Sequence, residues 1–411
     1  MDSVLRSHAD QIIKASISAV LPNEAVKRAL SGQEFTGRVL LVAAGKAAWQ
    51  MAKSAYDVLG QRIESGVVVT KYDHVMDPIG NFQCFEAGHP VPDENSFHGT
   101  QTALDLVDNL TENDTVLFLL SGGGSALFEK PLVTGEELQG ITGQLLACGA
   151  DIVEINTIRK RLSAVKGGRF ALHCAPAKVF SIVLSDVLGD PLDMIASGPA
   201  VPDTATKEQA IAIAKKYDLK MSDSAWKLLE QETPKELSNV TTQINGSVKQ
   251  LCVAAAEACR ELGYEPILLT DQLCCQAKEA GSFLASILKT HAGSGKRLAF
   301  LAGGETVVQL TGKGKGGRNQ ELALAAVVGI DGIQGAAVFS VGSDGTDGPT
   351  DAAGGYVDGC TAGRLREAGM DISDILENND AYHALQKVDG LIITGPTGTN
   401  VNDVAVMLID P

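Results

Sequence analysis

TVLFLLSGGGSALFE, residues 115–129, decides the fold. Its first six residues run apolar without alternation, which marks a strand covered on both faces, and such strands belong to parallel sheets flanked by helices. The run stops at Ser121, three glycines follow, and a helical pattern takes over. Moving outward, VLLVAAGKAAWQMA (39–52), GVVVTK (66–71) and KVFSIVLSDVLGD (178–190) repeat the same grammar of apolar run, loop and helix. EPILLTD (265–271), RLAFLAGGET (297–306), AAVFSVGSDGTDGPTD (336–351) and GLIITGPTGTN (390–400) continue it. The alternation predicts an α/β protein. QETPKELSNVTTQINGS (231–247) is polar and lacks clear periodicity, so it reads as a linker, with a domain boundary near residue 240 dividing 1–240 from 241–411.

At 411 residues the chain is long enough for two or three domains. Lys and Arg number 34 against 50 Asp and Glu, a formal charge of −16, which disfavours general attraction to nucleic acid or an anionic membrane. Any anion site must therefore be local. The 44 glycines are about 11% of the chain, above the usual ~7%, so glycine serves specific backbone sites. The eight cysteines contain no C-x-x-C pair and the seven histidines no H-E-x-x-H, so neither zinc spacing nor a disulfide framework is visible, and a reducing cytoplasm is the expected compartment. MDSVLRSHADQIIKASISAVL interrupts its apolar positions with charges, which predicts an amphipathic helix rather than a signal peptide.

In open α/β sheets, ligands collect beyond the carboxyl ends of the strands, and four constellations lie at such ends. Ala44-Gly45-Lys46-Ala47 sits at a strand-to-helix turn and reads either as a plain turn or as a close backbone approach with Lys46 as a flexible cation. It is not a Walker A loop, whose spacing is absent. Ser121, Gly122, Gly123, Gly124 and Ser125 offer consecutive amides and two hydroxyls suited to phosphate or carboxylate. Two acid-free basic islands follow. From Ile155 to Ser185 the chain carries Arg159, Lys160, Arg161, Lys166, Arg169 and Lys178; a helix would put Arg159 and Lys166 on one face, either as cations that bind substrate or phosphate or as a solvated face. From Thr306 to Gln320, GKGKGGR places Lys313, Lys315 and Arg318 before the helix NQELALAAVV, with Glu305 just before the island and Asn319 near its end as further binding candidates. The fourth constellation is carboxylate: Asp186, Asp190, Asp344, Asp347 and Asp351 on glycine loops are hard oxygen ligands of the type Mg²⁺ takes beside phosphate. Together these parts form a phosphoryl-transfer kit.

At GKAA, AGHPVPDENS, SGGGSAL, NTIRKRLSAVKGGR, LSDVLGDPLDMIASGP, GGETVVQLTGKGKGGRNQELALA, SDGTDGPTDAAGG and TGPTGTNVND the sequence resembles the class II glycerate kinases, the family named after its MOFRL C-terminal domain. The resemblance implies two α/β domains, an N-terminal Rossmann-like one and a smaller C-terminal one, with an interdomain cleft as active site. It implies ATP and Mg²⁺ as the working partners and phosphorylation of D-glycerate, in bacterial members usually at the 2-hydroxyl. Lys46 and Arg318 match the family's weightiest cations, and Asp186 is the leading carboxylate for metal or hydroxyl contact. A homodimer is compatible with this reading. Two alternatives predict different chemistry: a hydroxypyruvate reductase using NAD(P)H, for which only the glycine spacing of GKGKGG speaks, and a non-catalytic sensor of a sugar acid or nucleotide.

Overall fold

The computed structural model describes residues 2–411 and divides into two compact units, one running from Ala25 to Asn245 and one combining the chain through Glu24 with Gly246–Pro411. The first helix thus groups with the C-terminal part of the chain, and the division falls a few residues beyond the position read from the sequence.

In the unit of residues 25–245 the strands β1 (Val39–Ala44), β2 (Ile63–Lys71), β3 (Gln83–Ala87), β4 (Thr115–Leu120), β5 (Lys178–Leu184) and β6 (Val240–Gly246) form one sheet in the order β3-β2-β1-β4-β5-β6. β1 pairs in parallel with both β2 and β4, as do β2 with β3 and β4 with β5. Every residue of β1 and β4 is buried, which is why neither shows polar alternation. Leu40, Val42 and Ala44 enter the core on one face, Val39, Leu41 and Ala43 the core on the other. The strand order reverses between β1 and β4, and this switch point opens a crevice at their carboxyl ends. The later part of the expected linker is β6: Val240 to Gly246 closes the sheet as a partly exposed edge strand, where polar residues are tolerated and the apolar signal fades.

Phe118 of β4 meets Phe170 at 4.7 Å between ring centroids, and Phe128 meets Phe170 at 5.1 Å, all three rings fully buried. Phe128 directly follows the short helix Gly124–Leu127 that leaves the glycine loop, so this cluster anchors that helix to the sheet. The expected helix through Arg159 and Lys166 stops at Arg161; it starts at Ile152 with a capping box between Asp151 and Glu154.

In the other unit β7 (Glu265–Leu273), β8 (Leu298–Gly304), β9 (Ala336–Gly342), β10 (Gly354–Asp358), β11 (Leu391–Ile392) and β12 (Asp403–Ile409) are ordered β11-β10-β9-β12-β8-β7. Only β7 and β8 pair in parallel; β12 inserts between β8 and β9 antiparallel to both, so the sheet is mixed. The amphipathic N-terminal helix, Ser3–Ala19, buries Leu5, Ala9, Ile12, Ile13 and Ile17, and Asp2 caps it. Among the described residues no helix is long and apolar enough to cross a membrane.

Phe118→Ala removes the ring that ties the glycine loop's anchor to β4. A loss of about 3–5 kcal/mol is expected in urea unfolding followed by tryptophan fluorescence.

Candidate active site

The carboxyl ends of β1 and β4 are stitched together. The Ser121 amide donates to the Ala44 carbonyl (3.0 Å), the Lys46 amide to the Gly122 carbonyl (2.8 Å), and the Ala47 amide to the Ser121 hydroxyl (3.0 Å). Gly45 has φ +123 and lies so close to Ser121 that a Cβ would collide with that residue's hydroxyl and carbonyl. The glycine of GKAA is therefore a packing requirement of the paired loops, and it throws the Lys46 side chain out over the neighbouring loop.

What gathers there follows from the next two glycines. A Cβ on Gly122 would strike the Asp186 carboxylate, which arrives from the end of β5. Gly123, at φ +85, has the Lys46 stem and the His89 ring within 3.1 Å of where its Cβ would stand. Lys46, Asp186 and His89 thus converge on Gly122-Gly123, from the ends of three different strands. The sequence reading placed the first two here and missed His89, quoting its motif only for the resemblance; an isolated histidine after a short edge strand carries no spacing signal. Desolvation, then the charges of Lys46 and Lys71, hold the His89 pKa below the usual histidine value, with Asp186 opposing.

The first basic island has another job. Arg159 and Lys166 do converge, but inward: Arg159 Nη2 donates to the Ser125 carbonyl (2.9 Å), and Lys166 Nζ donates to the Ser125 (2.9 Å) and Phe128 (3.0 Å) carbonyls. Beneath them lies Glu129, fully buried, 3.4 Å from Lys166 Nζ and 3.9 Å from Arg159 Nη2. Burial lowers the Lys166 pKa to about 8, opposed by Glu129. Lys166 is 0% exposed and its ammonium is committed to these partners, so it holds the loop from behind; the expectation that Lys166 binds substrate or phosphate is corrected by this burial. Ser125 adds a longer contact to Ser197 (3.4 Å).

In the C-terminal unit Arg318 opens the helix Arg318–Ile330. Its guanidinium holds Asp403 with two bonds, 2.6 Å from Nε and 3.0 Å from Nη2, and meets Glu305 at 3.1 Å. Burial works against the charge, yet the bonds to Asp403 and the nearby carboxylates keep its pKa above the ordinary arginine value. The side chain remains 32% exposed. The helix start itself is taken: Asp347 accepts from the Asn319 amide (3.2 Å), the Gln320 amide (2.9 Å) and the Gln320 side chain (3.0 Å). Burial first, against those bonds, pushes the Asp347 pKa up to about 6. Asn319 is likewise enclosed, accepting from Ser340 and lying against Asp347.

The five candidate metal carboxylates accordingly separate. Asp347 serves helix amides, Asp351 accepts from Tyr382 (2.7 Å), and Asp344 accepts from Thr346 in its own loop (3.0 Å). Among the described residues the Asp186 carboxylate accepts no hydrogen bond, and the buried Oδ1 of Asp190 has no partner. Among the described residues no three His, Cys, Asp or Glu side chains group to hold a metal by themselves. The glycines of GKGKGG are also accounted for: Gly312 and Gly314 lie against Asn378 and Asp380, and Gly317 lies against Asp347, each too close for a Cβ.

A doubly wound sheet whose switch-point loops expose amides, an uncommitted lysine and an uncommitted carboxylate defines an α/β enzyme built to handle an anionic ligand. Within that class, the chain belongs to the glycerate 2-kinase family. Residues 8–230 match the domain of unknown function DUF4147 and residues 298–403 the MOFRL family. The D-glycerate 2-kinase of Thermotoga maritima is 55% identical, the match covering 98% of both chains, and the glycerate 2-kinase of Pyrococcus horikoshii is 42% identical over 97% of this chain and 96% of the relative. The crystal structure of the Thermotoga maritima glycerate kinase superposes with a TM-score of 0.94, at 54% identity, over 99% of this chain and 100% of that one.

Lys166→Met should leave Glu129 buried without its closest cation and cost about 3–5 kcal/mol of stability by chemical denaturation. Adding Glu129→Leu in the same chain should recover part of that loss, whereas a solvated lysine would give no change in either variant.

Proposed function

We propose that the chain is an ATP-dependent kinase that phosphorylates D-glycerate at the 2-hydroxyl, giving 2-phosphoglycerate and ADP. The observation that carries this reading is the convergence of Lys46 and Asp186, both without side-chain partners among the described residues, on the half-buried backbone of Gly122 and Gly123 at the sheet's switch point. The names of the relatives at 55% and 42% identity supply the substrate.

In the transfer, the glycerate oxygen bonds to the γ-phosphorus while the bond to the β,γ-bridging oxygen breaks; ADP leaves and the hydroxyl proton passes to solvent. The demand on the protein is positioning and charge neutralisation. Gly122 and Gly123 receive phosphate oxygens on their backbone amides, Lys46 neutralises charge beside them, and Arg159 and Lys166 keep Ser125 fixed from behind. Mg²⁺ suits Asp186, with Asp190 as the second carboxylate of the same loop, because this cation takes one or two carboxylates and completes its shell with phosphate oxygens; when bound it neutralises phosphate charge. Arg318 is proposed as the second cation of turnover, a fixed planar fork for a carboxylate or phosphate on its exposed side.

Hydride transfer has no comparable support. Its one cue, the spacing of GKGKGG, is explained by close packing against Asn378, Asp380 and Asp347.

Purified protein with ATP, Mg²⁺ and D-glycerate should yield 2-phosphoglycerate by phosphorus NMR. A 3-phosphoglycerate signal would correct the regiochemistry, ligand binding without ATP consumption would favour a sensor, and NADH oxidation with hydroxypyruvate in its place would overturn the kinase.

Lys46→Ala should lower kcat on the order of 10³-fold with the melting temperature nearly unchanged, since its ammonium supports nothing in the fold. Arg318→Lys should also lose activity but, unlike Lys46→Ala, should lower stability, because a lysine cannot meet both oxygens of the buried Asp403. A Lys46→Ala variant retaining more than about a third of wild-type kcat/KM removes that residue from the mechanism.

A further inference from the structure

His89 lies in AGHPVPDENS, just beyond β3, and nothing in the reaction as described uses it. Its ring atoms Cδ2 and Nε2 stand 3.0 and 3.1 Å from the position a Cβ would take on Gly123, and Lys46 Cγ stands 3.1 Å from the same point. The imidazole edge and the lysine stem therefore border one and the same glycine. His89 is exposed, and neither ring nitrogen has a hydrogen-bond partner among the described residues. Four other histidines are engaged: His8 with Tyr264, His74 with the Tyr72 carbonyl, His173 with the Leu104 carbonyl and His383 with Asp380. An exposed, unpartnered histidine is ordinary on a surface. One held over a glycine loop at a topological switch point, beside the Lys46 stem, is placed where an anion would sit.

We propose that His89 is a ligand contact of this site, its imidazole hydrogen-bonding an oxyanion that is either a phosphate oxygen of ATP or the carboxylate of glycerate. The proposal rests on the kinase reading above. The charged groups facing the ring are Lys46 from the end of β1, Lys71 from the end of β2 and Asp186 from the end of β5. With two cations against one anion, the local charge favours an incoming oxyanion. A neutral imidazole can donate one N–H to it without adding a third positive charge while the site is empty. Gly123 is what allows the approach, since any side chain there would separate His89 and Lys46 from the loop backbone.

The test compares wild type, His89→Ala and His89→Asn, the last keeping a donor of similar reach. Steady-state kinetics are run against ATP and D-glycerate separately, and each ligand alone, with Mg²⁺, is tested for its shift of the melting temperature. His89→Ala is expected to lower kcat/KM at least tenfold with the ligand-free melting temperature within about 2 °C of wild type, and His89→Asn to recover at least threefold of that loss. A rise in KM, and a lost thermal shift, confined to ATP assigns the phosphate; the same confined to D-glycerate assigns the carboxylate. His89→Ala within threefold of an active wild type, with both thermal shifts intact, overturns the contact and leaves the kinase reading standing. A wild type that neither turns over nor is stabilised by either ligand overturns both together.

Discussion

Two loops that leave neighbouring parallel strands in diverging directions would ordinarily drift apart, and the candidate site exists because these two cannot. The amide of Ser121 reaches back to β1, while the amides of Lys46 and Ala47 reach across to the Gly122 carbonyl and the Ser121 hydroxyl. These bonds satisfy backbone groups that the ends of β1 and β4 would otherwise leave open, in a place too crowded for any residue but glycine at position 45. Once the seam is closed, the backbone of Gly122 and Gly123 faces outward and the side chains around it have little choice of position. Asp186 packs on one glycine, Lys46 and His89 on the next.

The rest of the unit serves that seam. Behind it, Lys166 and Arg159 bind the Ser125 carbonyl together, and Phe128 locks into the ring cluster with Phe118 and Phe170. A fully buried lysine is costly to desolvate, which shows in its lowered pKa, and the cost is offset by Glu129 and two carbonyls. The glycine loop is thereby rigid at its base and open at its tip, the combination electrostatic positioning requires. A similar division holds around Arg318, where Asp403 fixes the guanidinium and Asp347 occupies the amides of the helix it begins. Lys46 and Asp186 are left uncommitted, whereas Arg318 is held in place by Asp403 and keeps 32% of its side chain exposed.

Legibility of the sequence tracked burial. Strands covered on both faces, such as VLLVAA and TVLFLL, announce themselves because nearly every residue must be apolar. The edge strand Val240–Gly246 does not, since most of its residues are only partly buried and Thr, Gln and Asn are acceptable there. The strand Asp403–Ile409 is absent from the runs read in the sequence, which end with GLIITGPTGTN, and nothing in its composition says that it inserts antiparallel between β8 and β9, because pairing partners lie far away along the chain. Helical continuity was also misread: seven residues separate Arg159 from Lys166, but the helix ends at Arg161 and the two side chains meet by a turn.

By itself, the sequence determined the α/β class, the loops at which chemistry could gather and the family to which the chain belongs, since these follow from local periodicity, glycine placement and uncommon motifs. Only the tertiary structure decided which charged residues are spent and which are free. Lys46 and Lys166 look alike as letters, as do Asp186 and Asp347, but one of each pair is enclosed by distant carbonyls or amides and the other is not. The physical reason is that a charge is committed by its desolvation and its partners, and both are set by segments that the fold alone brings together.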